Sequence, residues 1–416
     1  MIKHFPIKSD TACQYKWSWS TIYLSQGQTN SCHRVFGGHI TPETLKDFHN
    51  TPEKLKDREL MLKGEWPNNA CHYCKRIEDV GGISERIGYI NDLEYLSPPE
   101  LENNTLATRV TPRILEVYFS NLCNQSCVYC SPQFSSVIEH EIKKFGPISK
   151  RYFMDGTWGE HKDYQNLKTE FWKWMEENST HLADFHILGG EPLYQPEFNE
   201  CLEFFERKEN PNLNWKMFSN LKHDTKNFQQ KVDKMAKLVR DKKLRNIEIV
   251  CSIDCWDKEQ EYARNGMSLD NWEKNFNTLM NTPEIAIFIQ STISPITLPT
   301  AYKLVDKVIK WNETKPVHIG WNVIANPPFL DPSVFGSYLT EYLDKLEASV
   351  QNLMRPHYPD LTYLNGFATQ IKSSKINKKM MIELRDYLDE LDKRRGQNWK
   401  EIYPWMNEIF IKELSE

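Results

Sequence analysis

Arg113-Ile114-Leu115-Glu116-Val117-Tyr118-Phe119, followed at once by Leu122-Cys123-Asn124-Gln125-Ser126-Cys127-Val128-Tyr129-Cys130, is the stretch that decides the fold. The apolar run reads as a strand, and the loop after it sets three cysteines at C-x3-C-x2-C spacing. Three thiolates this close on one loop can wrap one corner of a cubane iron–sulfur cluster, leaving the fourth iron without a protein ligand. An open metal position suits chemistry on a small molecule, whereas a closed one suits structure or electron transfer. Ten cysteines scattered over 416 residues would give this spacing by accident about 0.006 times. The competing readings are a zinc knuckle with a distant fourth ligand, or plain buried cysteines. The position at a strand's carboxyl end, where α/β barrels place their chemistry, counts against both.

Downstream, short apolar runs alternate with helical stretches. Strands are predicted at 113–119, 183–188, 214–219, 246–253, 284–293 and 317–325, with helices at 197–208, 226–240, 270–280 and 299–312. Such alternation argues for a parallel sheet with helices outside it. Six units are too few for a complete eight-unit barrel. The expected class is therefore α/β, a partial (β/α)6 TIM-like barrel over 110–330. The interval from about 135 to 180 reads as an inserted helical lid. A helical C-terminal extension over 331–416 carries the charge-rich run Asn377 to Arg395, expected to be a solvated helix face.

Upstream, residues 1–95 read as a small α+β hairpin–helix metal module, joined to the core by a polar linker with Pro98-Pro99 and Pro112. Trp17 to Leu24 alternates as a half-buried strand, Gly27 and Asn30 lie in the turn, and the chain returns through Cys32. Thr41-Pro42-Glu43 and Asn50-Thr51-Pro52-Glu53 both read as helix starts. The net charge of −5 argues against nucleic-acid binding through overall charge. No apolar run reaches the roughly 18 residues of a membrane span, and the first residues lack a signal-peptide core. The expectation is a soluble, cytoplasmic chain with no membrane partner, whose cysteines serve metal or redox chemistry rather than disulfides.

Residues 113 to about 330 resemble the core domain of the radical S-adenosylmethionine (radical SAM) superfamily. That family's motif is C-x3-C-x-aromatic-C, with Tyr129 as the aromatic residue here, and its glycine-rich motif after the second strand is matched by Ile187-Leu188-Gly189-Gly190-Glu191-Pro192. The resemblance implies a catalytic [4Fe–4S] cluster on Cys123, Cys127 and Cys130, with S-adenosylmethionine on the open iron. It places Gly189, Gly190 and Glu191 at the methionine amino group, Ser252 near the ribose or carboxylate, and Arg264 on the carboxylate, where a guanidinium pairs in bidentate fashion. It also implies reductive cleavage to a 5′-deoxyadenosyl radical that takes a hydrogen atom from substrate. The electron would come from a donor such as flavodoxin or ferredoxin. Ser219-Asn220-Leu221 stands where relatives carry a T-N-G turn, and Cys255 replaces a glycine common in relatives.

Cys13, Cys32, Cys71 and Cys74, spaced C-x18-C-x38-C-x2-C, bracket the hairpin and helix. This resembles a twitch module, the shortened relative of the SPASM domain, in a group of radical SAM proteins that carry it N-terminally. The resemblance implies an auxiliary [4Fe–4S] cluster; four thiolates suit structural zinc equally well. His33 and His72 read as bystanders. Glu78, Ser84 and Arg86 either face the active site or are ordinary cap and surface residues. Cys201 and Cys251 read as core, Cys255 as core or cavity-facing, and His186 as a packed, hydrogen-bonded histidine. Gln290 and Asn322 are candidates to line the substrate cavity. The substrate is expected to be a peptide or protein side chain or a small metabolite. The alternatives are an RNA-modifying radical SAM enzyme and a zinc-stabilised binding protein without turnover.

Overall fold

The computed structural model describes residues 6–32, 35–67, 71–79, 81–90, 97–148, 162–353 and 361–414. His33, part of the linker and part of the expected lid lie outside them. The strands are β1 (Trp19–Tyr23), β2 (Gln28–Cys32), β3 (Val35–His39), β4 (Ile114–Tyr118), the two-residue β5 (Ser126–Cys127), β6 (Asp184–Leu188), β7 (Asn210–Ser219), β8 (Leu244–Ser252), the two-residue β9 (Arg264–Asn265), β10 (Ile285–Ile293) and β11 (Val317–Val323). Nine of them form one sheet in the order β11-β10-β8-β7-β6-β4-β1-β2-β3, while β5 and β9 pair separately. From β4 to β11 the strands of the large sheet are parallel and neighbours follow chain order. The sheet is open, with β11 and β3 at its edges.

Helices Tyr164–Asn178, Glu197–Arg207, Thr225–Arg240, Leu269–Met280 and Leu298–Trp311 follow successive strands of the parallel set. Their apolar stripes meet one face of it. Thr225–Arg240, for example, buries Phe228, Val232, Met235 and Ala236. The strands answer by alternation: β10 buries Ile285, Ile287, Ile289 and Ile293 and leaves Ala286, Phe288, Gln290 and Thr292 partly exposed. Parallel sheets are normally covered on both faces. Here the second face mixes apolar and polar rows: register sets Tyr23 beside Tyr118 and Leu188, and Phe218 beside Val250 and Phe288. Register puts Thr21, Glu116, His186, Lys216 and Glu248 in one row across it. Thr21 Oγ1 donates to Glu116 Oε2 at 2.7 Å, and Lys216 meets Glu248 at 2.7 Å.

The N-terminal hairpin extends the core sheet, because β1 pairs in parallel with β4 through five residue pairs from Trp19–Ile114 to Tyr23–Tyr118. Three local expectations are corrected. Trp17 and Ser18 end a helix (Gln14–Ser18) whose five residues are all buried, so tertiary burial overrides the alternation there. Thr41 opens a turn instead of a helix: its hydroxyl donates to Glu43 Oε2 at 2.7 Å and its N–H to Thr44 Oγ1 at 2.9 Å. A 3-10 helix starts only at Leu45. The run Asn377 to Arg395 is not merely a solvated face. Helix Lys378–Arg395 buries Met381, Leu384, Tyr387, Leu388 and Leu391.

The second expected helix start is found where the sequence puts it. Thr51 caps Pro52–Leu62, accepting from Lys54 N and donating to Gly37 O. Thr51→Ala is expected to lower stability by about 1–2 kcal/mol, and Thr51→Ser by much less, read from urea unfolding midpoints.

Candidate active site and a second cysteine site

The loop after β4 is held on several sides. Cys127 pairs in antiparallel register with Arg264 and Ser126 with Asn265, and Val128 N donates to Ala263 O at 2.8 Å. Ser135 Oγ donates to Gln125 O at 2.8 Å, and Cys123 N donates to Ser136 Oγ at 3.1 Å. From the C-terminal helix, Tyr387 donates its hydroxyl to Val128 O at 2.7 Å. So fixed, the loop turns Cys123, Cys127 and Cys130 into a cavity of about 660 Å³ at the carboxyl edge of the sheet. Tyr129, Gly189, Gly190, Glu191, Ser252 and Arg264 line the same cavity.

The glycine loop is packed against the cysteine loop. Gly189 and Gly190 both have positive φ, 82° and 58°. A Cβ on Gly190 would stand 2.2 Å from Leu122 O, and one on Gly189 2.6 Å from Tyr118 Cδ1. Only glycine fits there. Glu191 N donates to Leu122 O at 2.9 Å, and Gln195 Nε2 to Gly189 O at 2.8 Å. The Glu191 carboxylate is 1% exposed. It accepts from Ser219 Oγ at 2.8 Å, Asn220 N at 2.6 Å and Leu193 N at 3.3 Å, with His223 Nε2 at 3.4 Å. Both oxygens are thus engaged in holding loops together. Leu221 takes φ 54°, a left-handed backbone that costs a non-glycine residue strain.

Arg264 is also engaged. Its Nε and Nη2 donate to Asp254 Oδ2 and Oδ1 at 2.8 and 2.9 Å, and Tyr129 hydrogen-bonds the same carboxylate. Asp254 further accepts from Thr292 N at 2.9 Å. Burial works against the Arg264 charge, but the Asp254 carboxylate outweighs it and holds the guanidinium charged. The S-x-D pattern Ser252-Ile253-Asp254 marks Asp254 in the sequence but not its partner Arg264, and nothing local marks Gln195 as a bridge between two loops. Cys255 is fully buried against Gln260 and does not line the cavity; Cys201 and Cys251 are core. His186 lies beside Glu116, while Gln290 bonds Gly320 O at 3.3 Å and neither it nor Asn322 lines the cavity.

Burial pushes the Cys123 thiol up to about 12, with Cys127 adding to the rise. Burial raises Cys130 as well, and also Cys127, where Arg264 opposes it. The thiols keep their protons at neutral pH, so metal uptake must displace them and strengthens as pH rises. Among the described residues, no three His, Cys, Asp or Glu side chains converge as ligands of a single ion. A cluster, which takes each thiolate on a different iron, makes no such demand.

The second site gathers Cys13, Cys32, Cys71 and Cys74 around one small pocket, together with Lys16, Met61, Trp66 and Arg86. Burial lifts Cys13 to about 12 and Cys71 to about 11. Arg86 pairs with Glu78 and stacks 4.8 Å over Trp66, and Ser84 bonds Glu78, so this trio serves the second site. His72 is exposed. Carrying the β1–β2 register two residues past Thr21–Asn30 sets Cys32 level with Trp19, beside the start of β4. The first cysteine loop leaves the other end of β4. The two sites therefore occupy opposite edges of the sheet, separated by the length of β4, roughly 13 Å.

No family model matches the chain and no curated protein does. Among solved structures it is similar to native anSMEcpe with bound AdoMet and Kp18Cys peptide, at 18% identity and TM-score 0.37 over 58% of this chain and 62% of that one. It is also similar to TYW1 with a lysine-pyruvate adduct bound, at 14% identity and TM-score 0.31 over 57% of this chain and 73% of that one. The chain thus spans less than two-thirds of the first, and neither likeness reaches the level at which a shared fold follows.

Gly190→Ala is expected to push the two loops apart, costing more than about 2 kcal/mol in thermal unfolding. Iron uptake after reconstitution should fall with it.

Proposed function

We propose that the chain is a radical SAM enzyme whose partial-barrel core holds a [4Fe–4S] cluster on Cys123, Cys127 and Cys130 beside S-adenosylmethionine. The observation that carries this is the convergence of three thiols from one loop, the Gly189-Gly190 backbone and Ser252 on a single cavity at the carboxyl edge of a parallel sheet. The donor set fits: three cysteines line the cavity and no fourth does. When bound, the reduced cluster and S-adenosylmethionine supply a 5′-deoxyadenosyl radical that takes a hydrogen atom from substrate.

The chain's own residues position and exclude. Gly189 and Gly190 bring backbone close to the cofactor's amino group, because no Cβ intervenes. Ser252 offers a hydroxyl to its ribose or carboxylate. Arg264, clamped by Asp254, presents its remaining N–H groups and its charge beside Cys127 and the carboxylate. Stacked Tyr23 and Tyr118, 4.6 Å apart, put aromatic bulk next to the cavity. The sheet carries Tyr118, Leu188 and Phe218 at the cavity and a polar row from Glu116 to Glu248 below them, which suits a substrate with apolar and polar parts, a peptide side chain or small metabolite. In this reading Cys13, Cys32, Cys71 and Cys74 hold an auxiliary [4Fe–4S] cluster; zinc, the alternative occupant, requires the four side chains to draw together from where they stand.

Anaerobic reconstitution, iron and sulfide counting and a deoxyadenosine assay test the reading. A Cys123/Cys127/Cys130→Ala variant is expected to lose about four irons and all deoxyadenosine formation while keeping metal at the second site. Unchanged iron content in that variant, or a wild type holding only zinc and making no deoxyadenosine, would sink it. Ser252→Ala is expected to weaken S-adenosylmethionine binding about 5- to 10-fold by calorimetry, the effect of roughly one hydrogen bond.

A further inference from the structure

Helix Pro52–Leu62 does not bury an apolar stripe. Its buried residues are Lys54, Arg58 and Met61, spaced along one face. Met61 lines the four-cysteine pocket, as does Lys16. Arg58, fully buried, donates Nε to Lys16 O at 2.7 Å, Nη1 to Asn50 Oδ1 at 2.9 Å and Thr108 O at 2.6 Å, and Nη2 to His49 O at 2.9 Å. Its Nη2 also lies 3.0 Å from His49 Nε2. Lys54, 1% exposed, donates to Ser20 Oγ and Thr29 Oγ1, both at 2.7 Å. No carboxylate among the described residues ion-pairs with either cation. Three acids do act favourably on Arg58: Asp57, which also pairs with Lys16, Asp47, which also pairs with Arg109, and Glu100, one of whose buried oxygens is otherwise unbonded.

Lys54 has no such acid beside it among the described residues, and a buried cation without counter-charge is strongly unfavourable. Arg58 and Lys16 repel its charge, and the group acting in its favour is Cys32, one of the four thiols. Bound to zinc or to an oxidised [4Fe–4S] cluster, four thiolates leave a net double negative charge. Thr29, which Lys54 grips, precedes Cys32 on β2 by three residues, roughly 10 Å at strand spacing. Charges buried at that range are poorly screened. We infer that Lys54 is a built-in counter-charge of a metal-loaded centre on Cys13, Cys32, Cys71 and Cys74. The inference rests on the reading that these four cysteines hold metal.

Lys54→Met removes the charge and keeps the length. It strands no hydroxyl, since Ser20 Oγ also meets His49 Nδ1 at 2.7 Å and Thr29 Oγ1 also donates to Thr21 O at 2.9 Å. Lys54→Gln is a second neutral variant, and Lys54→Arg keeps the charge. Each is made in the full chain carrying Cys123/Cys127/Cys130→Ala, so that only the second site holds metal. Metal release is followed against a chelator, and melting temperature is read with and without metal. Neutral variants are expected to release zinc or reconstituted iron at about tenfold lower chelator concentration, with the metal-free form melting no lower than its parent. Lys54→Arg should behave as the parent. Equal loss of melting temperature in both forms, with unchanged metal retention, would make Lys54 a packed donor and overturn the inference. A parent whose metal content does not fall on Cys71→Ala with Cys74→Ala would instead remove the metal reading, and this inference with it.

Discussion

The loop end of the sheet depends on one buried carboxylate. A carboxylate out of water must be hydrogen-bonded or it becomes very costly, and Glu191 recruits donors from the next two turns of chain. Meeting that demand draws the end of β7 onto the glycine loop. The Glu191 N–H in turn ties that loop to Leu122, one residue before Cys123. Three consecutive strand ends are thus locked by a single side chain and its own amide. Leu221 bears the cost: it accepts a left-handed backbone so that Ser219 and Asn220 can face Glu191. A second hub, Asp254, does the same for Tyr129, Arg264 and Thr292 on the other side of the cavity. The cavity is framed by two acids, each satisfied by neighbours from different loops.

Much of this architecture was legible in the sequence. The six strands of the parallel set and the four helices named between them fall within a few residues of the expected positions, because long amphipathic segments reveal themselves by period alone. What was not legible is the way β1 joins β4. A hairpin bracketed by cysteines looks self-contained locally, and only pairing at long range shows that it continues the sheet. The misread turn at Thr41 has a similar origin, since side chains of Thr and Glu bonding one another compete with helix formation.

At the site, the residues with distinctive chemistry or spacing could be named in advance, and the cavity collects them. The residues that organise them could not. Gln195, Tyr387 and the pairing of Asp254 with Arg264 act over separations set by the fold, with no local pattern to expose them. The helix Pro52–Leu62 is the sharpest case. Its apolar residues are Leu55, Leu60, Met61 and Leu62, yet Lys54 and Arg58 are buried with Met61 while the three leucines stay partly exposed. Charge distribution in the interior, and not periodicity, decides which face that helix hides.

The hydrogen bond from Tyr387 to Val128 spans 259 residues of chain. A ribosome delivers residues in order, and domains fold as they emerge. The cysteine loop gains this contact only once helix Lys378–Arg395 has been synthesised and docked. A chain stalled or clipped before that helix would carry its three cysteines on a loop without that buttress.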